Sequence, residues 1–100
     1  MKEIVVFTRA GRFAENKDIA RDIRENEIIQ ALNKNEEVVL SFEKVDAATQ
    51  SFIHALISDV LRKYGHDALD RITFKGCNDT IKKIINIVVD YMQDGMSGKD

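Results

Sequence analysis

Asp46, Thr49, Gln50, Ser51 and His54 gather an acid, two hydroxyls, an amide and an imidazole in one short stretch of the chain. Asp46, Thr49 and Ser51 are all good helix caps, because their side-chain oxygens accept first-turn N–H groups. Those N–H groups carry partial positive charge and can receive an anion. A hydroxyl at that point can carry a phosphate, which the same N–H groups would stabilise. Ser51 and Thr49 are therefore the candidate phospho-acceptors. Capping alone also accounts for them. Arg9 and Arg12 flank Gly11 and form the local basic pair, able to meet a phosphate or an acidic partner. Two solvated arginines beside a loop are the plainer account.

Other chemistry is sparse. His54, His66 and Cys77 are the only nitrogen and sulfur ligand candidates, and none has paired ligand spacing, so no metal site is expected. Cys77 could meet His54 or His66 in space, and it precedes a predicted helix start, where a thiolate is favoured. No oxyanion donor or orienting acid completes that pair. Asp18, Asp22 and Glu25 read as a solvated helical face rather than a cation site. The run Gly95-Met96-Ser97-Gly98-Lys99-Asp100 lacks the spacing, the hydroxyl and the following helix of a phosphate loop. No dinucleotide-binding glycine pattern is present. No catalytic residue and no cofactor is expected.

The elements that must position the stretch come next. Val38, Val39, Leu40 and Phe42 form a short apolar run, expected as a central strand covered on both faces. Phe52, Ile53, Leu56, Ile57, Val60, Leu61 and Tyr64 follow at helical spacing, and Gly65 suits the C-terminal cap. Upstream, Glu3 to Thr8 reads as a first strand, Gly11 as a tight turn and Phe13 as a core anchor. Asn16 is expected to cap a helix reaching about Asn33, with an imperfect apolar face of Ile19, Ile23, Ile28, Ile29 and Leu32. Arg21 and Glu25 are spaced to pair on its outer side. Downstream, His66 falls in a loop and Arg71 to Lys75 reads as a third strand. Asn78 or Asp79 caps a last helix through Ile81, Ile84, Ile85, Val88, Val89 and Met92.

Strand and helix alternate three times, which favours a mainly parallel sheet flanked by three helices. A short strand near Arg12 and Phe13 would bring the sheet from three strands to four. One hundred residues suit one domain, expected over 1–92, with a flexible polar tail over 93–100. A net charge of -2 gives no electrostatic footprint for nucleic acid. A single cysteine points to a reducing compartment, and no apolar run is long enough for a bilayer. A cytoplasmic protein without a membrane segment is expected.

The segments GRFAENKDIARDI, EEVVLSFEKVDAATQSFIHALISDVLRKYG and RITFKGCNDTIKKIINIV resemble the bacterial STAS-like domain family, roughly from Gly11 to Val89. The most specific pieces are the GRF turn, the Gln50-Ser51-Phe52 step and the Asn78-Asp79 step. The resemblance implies a small α/β regulatory module related to anti-sigma-factor antagonists. In those antagonists a partner ATPase of histidine-kinase-like fold phosphorylates a serine at the helix start after the central strand. The antagonist pattern Asp-Ser-Ser-Gly-Leu-Gly aligns with Thr49-Gln50-Ser51-Phe52-Ile53-His54. Gln50 thus stands at the phospho-acceptor position, and Phe52 and His54 replace both glycines. The expected role is a non-catalytic interaction switch, with Asp46, Thr49, Gln50, Ser51, His54, Arg9 and Arg12 as its contact surface. The expected partner is a histidine-kinase-like ATPase. The alternatives are a nucleotide- or phosphate-binding domain and a plain oligomerisation unit, such as a homodimer.

Overall fold

The computed structural model describes the backbone of residues 1–97 and the side chains of residues 1–92. The flexibility expected of the 93–100 tail falls outside the described side chains. Three parallel strands form the sheet: β1 (Lys2–Val5), β3 (Val38–Ser41) and β5 (Ile72–Lys75), in the order β1-β3-β5. The apolar run at Val38 is therefore the central strand, as its composition suggests. Its register places Ile4, Leu40 and Phe74 in one row and Lys2, Val38 and Ile72 in another.

Both crossovers step in the same direction across this sheet. Right-handed connections then put their helices on the same face. Helix α4 (Gln50–Tyr64) accordingly packs against both α2 (Lys17–Ile23) and α6 (Asp79–Ser97). Ile4, Val38, Leu40 and Ile72 are buried on the inner face, while Glu3, Thr73 and Lys75 on the outer face are exposed. The central strand is thus not covered by helices on both faces. Its Val39 and Ser41 are instead spanned by an ion pair between Lys75 Nζ and Glu3 Oε2, 3.3 Å apart, reaching across from the two edge strands.

The first strand stops earlier than expected. Val6–Ala10 forms a short helix, α1, closed by Gly11, whose φ is 77° and whose N–H donates to the Phe7 carbonyl. A short apolar run cannot by itself distinguish strand from helix. Strand β2 (Phe13–Ala14) does not join the main sheet. It pairs in parallel with β4 (Ala47–Ala48) as a separate ribbon. Ala14 is its buried residue, and Phe13 is 55 % exposed, so Phe13 is not a core anchor.

Asn16 caps α2 by accepting from the Asp18 and Ile19 N–H groups. The helix continues through a π-helical turn, Arg24–Ile28, into α3 (Ile29–Asn33). That turn explains the imperfect apolar pattern. Ile23 and Ile28 are five apart, wrong for an α-helix, yet both are fully buried because the turn widens by one residue. Arg21 pairs with Asp18 rather than Glu25, and Glu25 pairs with Arg24. His66 is not in a loop: His66–Arg71 forms a short helix, α5, anchored by buried Ala68. Gly65 closes α4 as expected, with its N–H on the Leu61 carbonyl. In α6, Ile81, Ile85, Val88 and Met92 are buried, with Ile84 and Val89 at the margin. No helix among the described residues is long and apolar enough to cross a membrane.

Candidate functional site

The loops that follow β1, β3 and β5 meet beyond the carboxyl ends of the strands. In open parallel α/β sheets this is the end where sites form. The β2–β4 ribbon knits two of these loops together. The Arg12 carbonyl accepts from the Asp46 N–H at 2.8 Å and the Ala47 N–H at 3.3 Å, and the Ala14 carbonyl accepts from Thr49 at 2.9 Å. Arg12 Nε also donates to Asp46 Oδ2 at 3.0 Å. Asn78 ties in the third loop. Its Nδ2 donates to the Asp46 carbonyl at 2.9 Å, while its Oδ1 accepts the Ile81 N–H of α6 at the same distance. Gly76 permits this approach. Its φ is 69°, and a Cβ there would lie 3.0 Å from Glu43 N and closer still to Glu43 Cγ.

Of the capping candidates, Thr49 does the capping. Its Oγ1 accepts the Phe52 N–H at 3.0 Å and its carbonyl accepts from Ile53 at 3.2 Å. The N–H groups of Gln50 and Ser51 have no acceptor among the described residues. Ser51 and His54 are exposed, and with Gln50, Lys17 and Ala55 they line an open depression of about 430 Å³. Asp46 and Arg12 line a neighbouring one of about 290 Å³, with Phe7 and Lys44. The Lys44 ammonium lies 5.8 Å from the centre of the Phe7 ring.

The expected surface is therefore divided. Gln50, Ser51 and His54 share one depression and Arg12 and Asp46 share the other, with Thr49 half-buried between its two hydrogen-bonding duties. Arg9 is elsewhere: its guanidinium is gripped by Asp22 and Glu27 on the α2 helix and its π turn. Two cations that do line the depressions, Lys17 and Lys44, escape sequence reasoning. Lys17 reads as ordinary first-turn composition. Lys44 stands at a left-handed turn position, φ 71°, that no glycine marks.

A further depression of about 470 Å³ is lined by Phe74, Gly76, Cys77, Lys82, Ile85 and Asn86. No histidine is among these residues. Burial raises the Cys77 pKa above its ordinary value of 9.0, and nearby Lys82 offsets this only in part. The thiolate expected before a helix start is therefore disfavoured, because desolvation by burial outweighs the attraction of Lys82. Among the described residues, no group of three or more His, Cys, Asp or Glu is placed to hold a metal ion.

This chain's residues 20–82 match the family model described as STAS-like domain of unknown function (DUF4325). The chain belongs to that family. Comparison with curated proteins and with solved structures gives no match. The matched span contains the Gln50-Ser51-Phe52 step and the Asn78-Asp79 step but begins after the GRF turn. In this STAS-like chain the GRF turn and the Asn78-Asp79 step nonetheless converge, since Arg12 and Asn78 both bond Asp46, in the loop that leads to the Gln50-Ser51-Phe52 step.

Proposed function

We propose that this STAS-like domain is a non-catalytic regulatory module of the bacterial cytoplasm. It docks a protein partner, a histidine-kinase-like ATPase, on the start of α4 and the loop before it. The observation that carries the reading is the exposed trio Gln50, Ser51 and His54 on a helix start fixed from below. Thr49 caps that start, and the Arg12–Asp46–Asn78 chain of bonds holds its approach loop. An open depression on a rigid base suits a partner's surface better than an enclosed substrate. Ser51 is the favoured phospho-acceptor of the two hydroxyls, because it is exposed while Thr49 Oγ1 is engaged. A phosphate on Ser51 would meet the Gln50 and Ser51 N–H groups and Lys17, changing the charge presented to the partner.

The test is affinity capture from an extract of the source organism, with mass spectrometry of the retained proteins and phosphate mapping of Thr49 and Ser51. The expected result is an ATPase of that class, lost when Ser51→Ala and His54→Ala are combined. Undiminished capture by that double variant would refute the surface.

A second reading is favoured by Lys17 and the two unpaired amides at one depression: a nucleotide or phosphate binds there directly. A thermal shift with ATP, GTP or inorganic phosphate distinguishes it, since a ligand selective for the folded state must raise the melting temperature.

A further inference from the structure

Helix α6 carries a second apolar stripe beside the one it buries. Ile81, Ile85, Val88 and Met92 face the core. Ile84, Ile87 and Tyr91 lie about a quarter-turn around the axis at 100° per residue. Ile87 is 45 % exposed and Tyr91 is 68 % exposed. Among the described residues they are two of the few large apolar side chains left in solvent, and they sit on one helix three to seven residues from Ile84. Lys83 and Asp90, both exposed, flank the stripe on the side away from the core.

The spacing of these two charges suits a second copy of this chain. Lys83 precedes Ile87 by four residues and Asp90 follows it by three, so they stand about 6 Å and 4.5 Å from it along the axis on the same flank. Seven residues, roughly 10 Å of rise, separate them, which is too far for them to pair with each other. A two-fold axis beside Ile87 reverses the second helix and keeps the flank. Each Lys83 then faces the Asp90 of the other copy, twice. Ile87 meets Ile87, and Ile84 meets Tyr91. A parallel arrangement would put the two copies' charges on opposite flanks and form neither bridge.

We propose that α6 is a homodimer interface, in which two copies of this chain pair antiparallel through Ile84, Ile87 and Tyr91, with reciprocal Lys83–Asp90 bridges. An isologous contact requires a self-complementary patch, and this stripe with its two charges is one. The proposed partner surface at the start of α4 lies on a different element, so the two are independent.

The full chain provides the test, by sedimentation or light scattering over micromolar to sub-millimolar concentration. The unaltered protein is expected to dimerise. Lys83→Asp and Asp90→Lys are each expected to weaken self-association by about tenfold or more, since each turns two attractive pairs into two repulsive ones. Mixing the two variants restores association as a one-to-one heterodimer. The introduced aspartate of one chain then faces the introduced lysine of the other, and the retained Lys83 faces the retained Asp90. Ile87→Glu abolishes pairing altogether, with circular dichroism confirming that each variant stays folded. A monomer throughout the range, or a mixture that associates no better than either variant alone, overturns the proposal.

Discussion

Asn78 uses both ends of its amide. The oxygen caps α6 and the nitrogen holds the Asp46 carbonyl across the site. Asn78→Ala is expected to cost about 1–3 kcal/mol by denaturant melting, combining a lost cap with an unpaired carbonyl. Asn78→Asp keeps the cap oxygen and loses only the donor, so its stability should fall between the native chain and the alanine variant. The cap is readable from the sequence, because it depends on neighbours three residues away. The bond to Asp46 is not, because no local pattern marks a partner on another loop. Gly76 is likewise visible in sequence only as a turn. Its necessity comes from Glu43, and Gly76→Ala should therefore lower stability by about 2 kcal/mol or more, through both φ and crowding. Cys77 adds a pH dependence. Its folded pKa is raised, so the folded state holds the proton where the unfolded state has released it. Stability from this group is complete below the unfolded pKa and is lost as pH rises through the folded one. Melting at alkaline pH should show the decline, and Cys77→Ser should flatten it.

At the scale of elements, the π turn is half visible in the sequence. The five-residue step from Ile23 to Ile28 breaks the helical period, and the structure shows a real break there. Arg24 occupies the turn, 8 % exposed, and donates from Nη1 to the Ala55 carbonyl of α4 at 2.9 Å. Asn26 is exposed on the same turn. Deleting Asn26 would set Ile23 and Ile28 at the four-residue step of an α-helix. The shortened chain should still melt cooperatively, with helical circular dichroism retained and a loss of about 2 kcal/mol or less. Loss of folding would show that the wide turn is needed for Arg24 rather than tolerated. Elsewhere an element is legible wherever its periodic apolar face is long, as in α4 and α6. Legibility fails at α1 and α5, which are too short to display a period.

For the whole molecule, the sheet's single covered face departs furthest from sequence expectation, and its cause is topological. Alternation of strand and helix can be read along the chain, but strand order decides which side the helices take. The site divides in the same way: the helix start is readable, its reinforcement by the ribbon and Asn78 is not. Because α6 supplies Ile81, Ile85, Val88 and Met92 to one shared core, a chain cut after Gly65 should give an unfolded spectrum rather than a smaller domain.

The pairing of β3 with both edge strands has a kinetic meaning. Lys2 pairs with Val38, and Val38 with Ile72. Every ladder in the main sheet joins residues more than thirty positions apart, and none is a hairpin. The sheet therefore has no local nucleus. During synthesis β1 must wait, unpaired, until the middle of the chain has emerged, and the last ladder closes only when β5 is free. Helix-first collapse around α4, followed by late strand closure, is the route this topology leaves open. Its refolding rate should sit with the slower mixed domains of its size rather than with helical bundles.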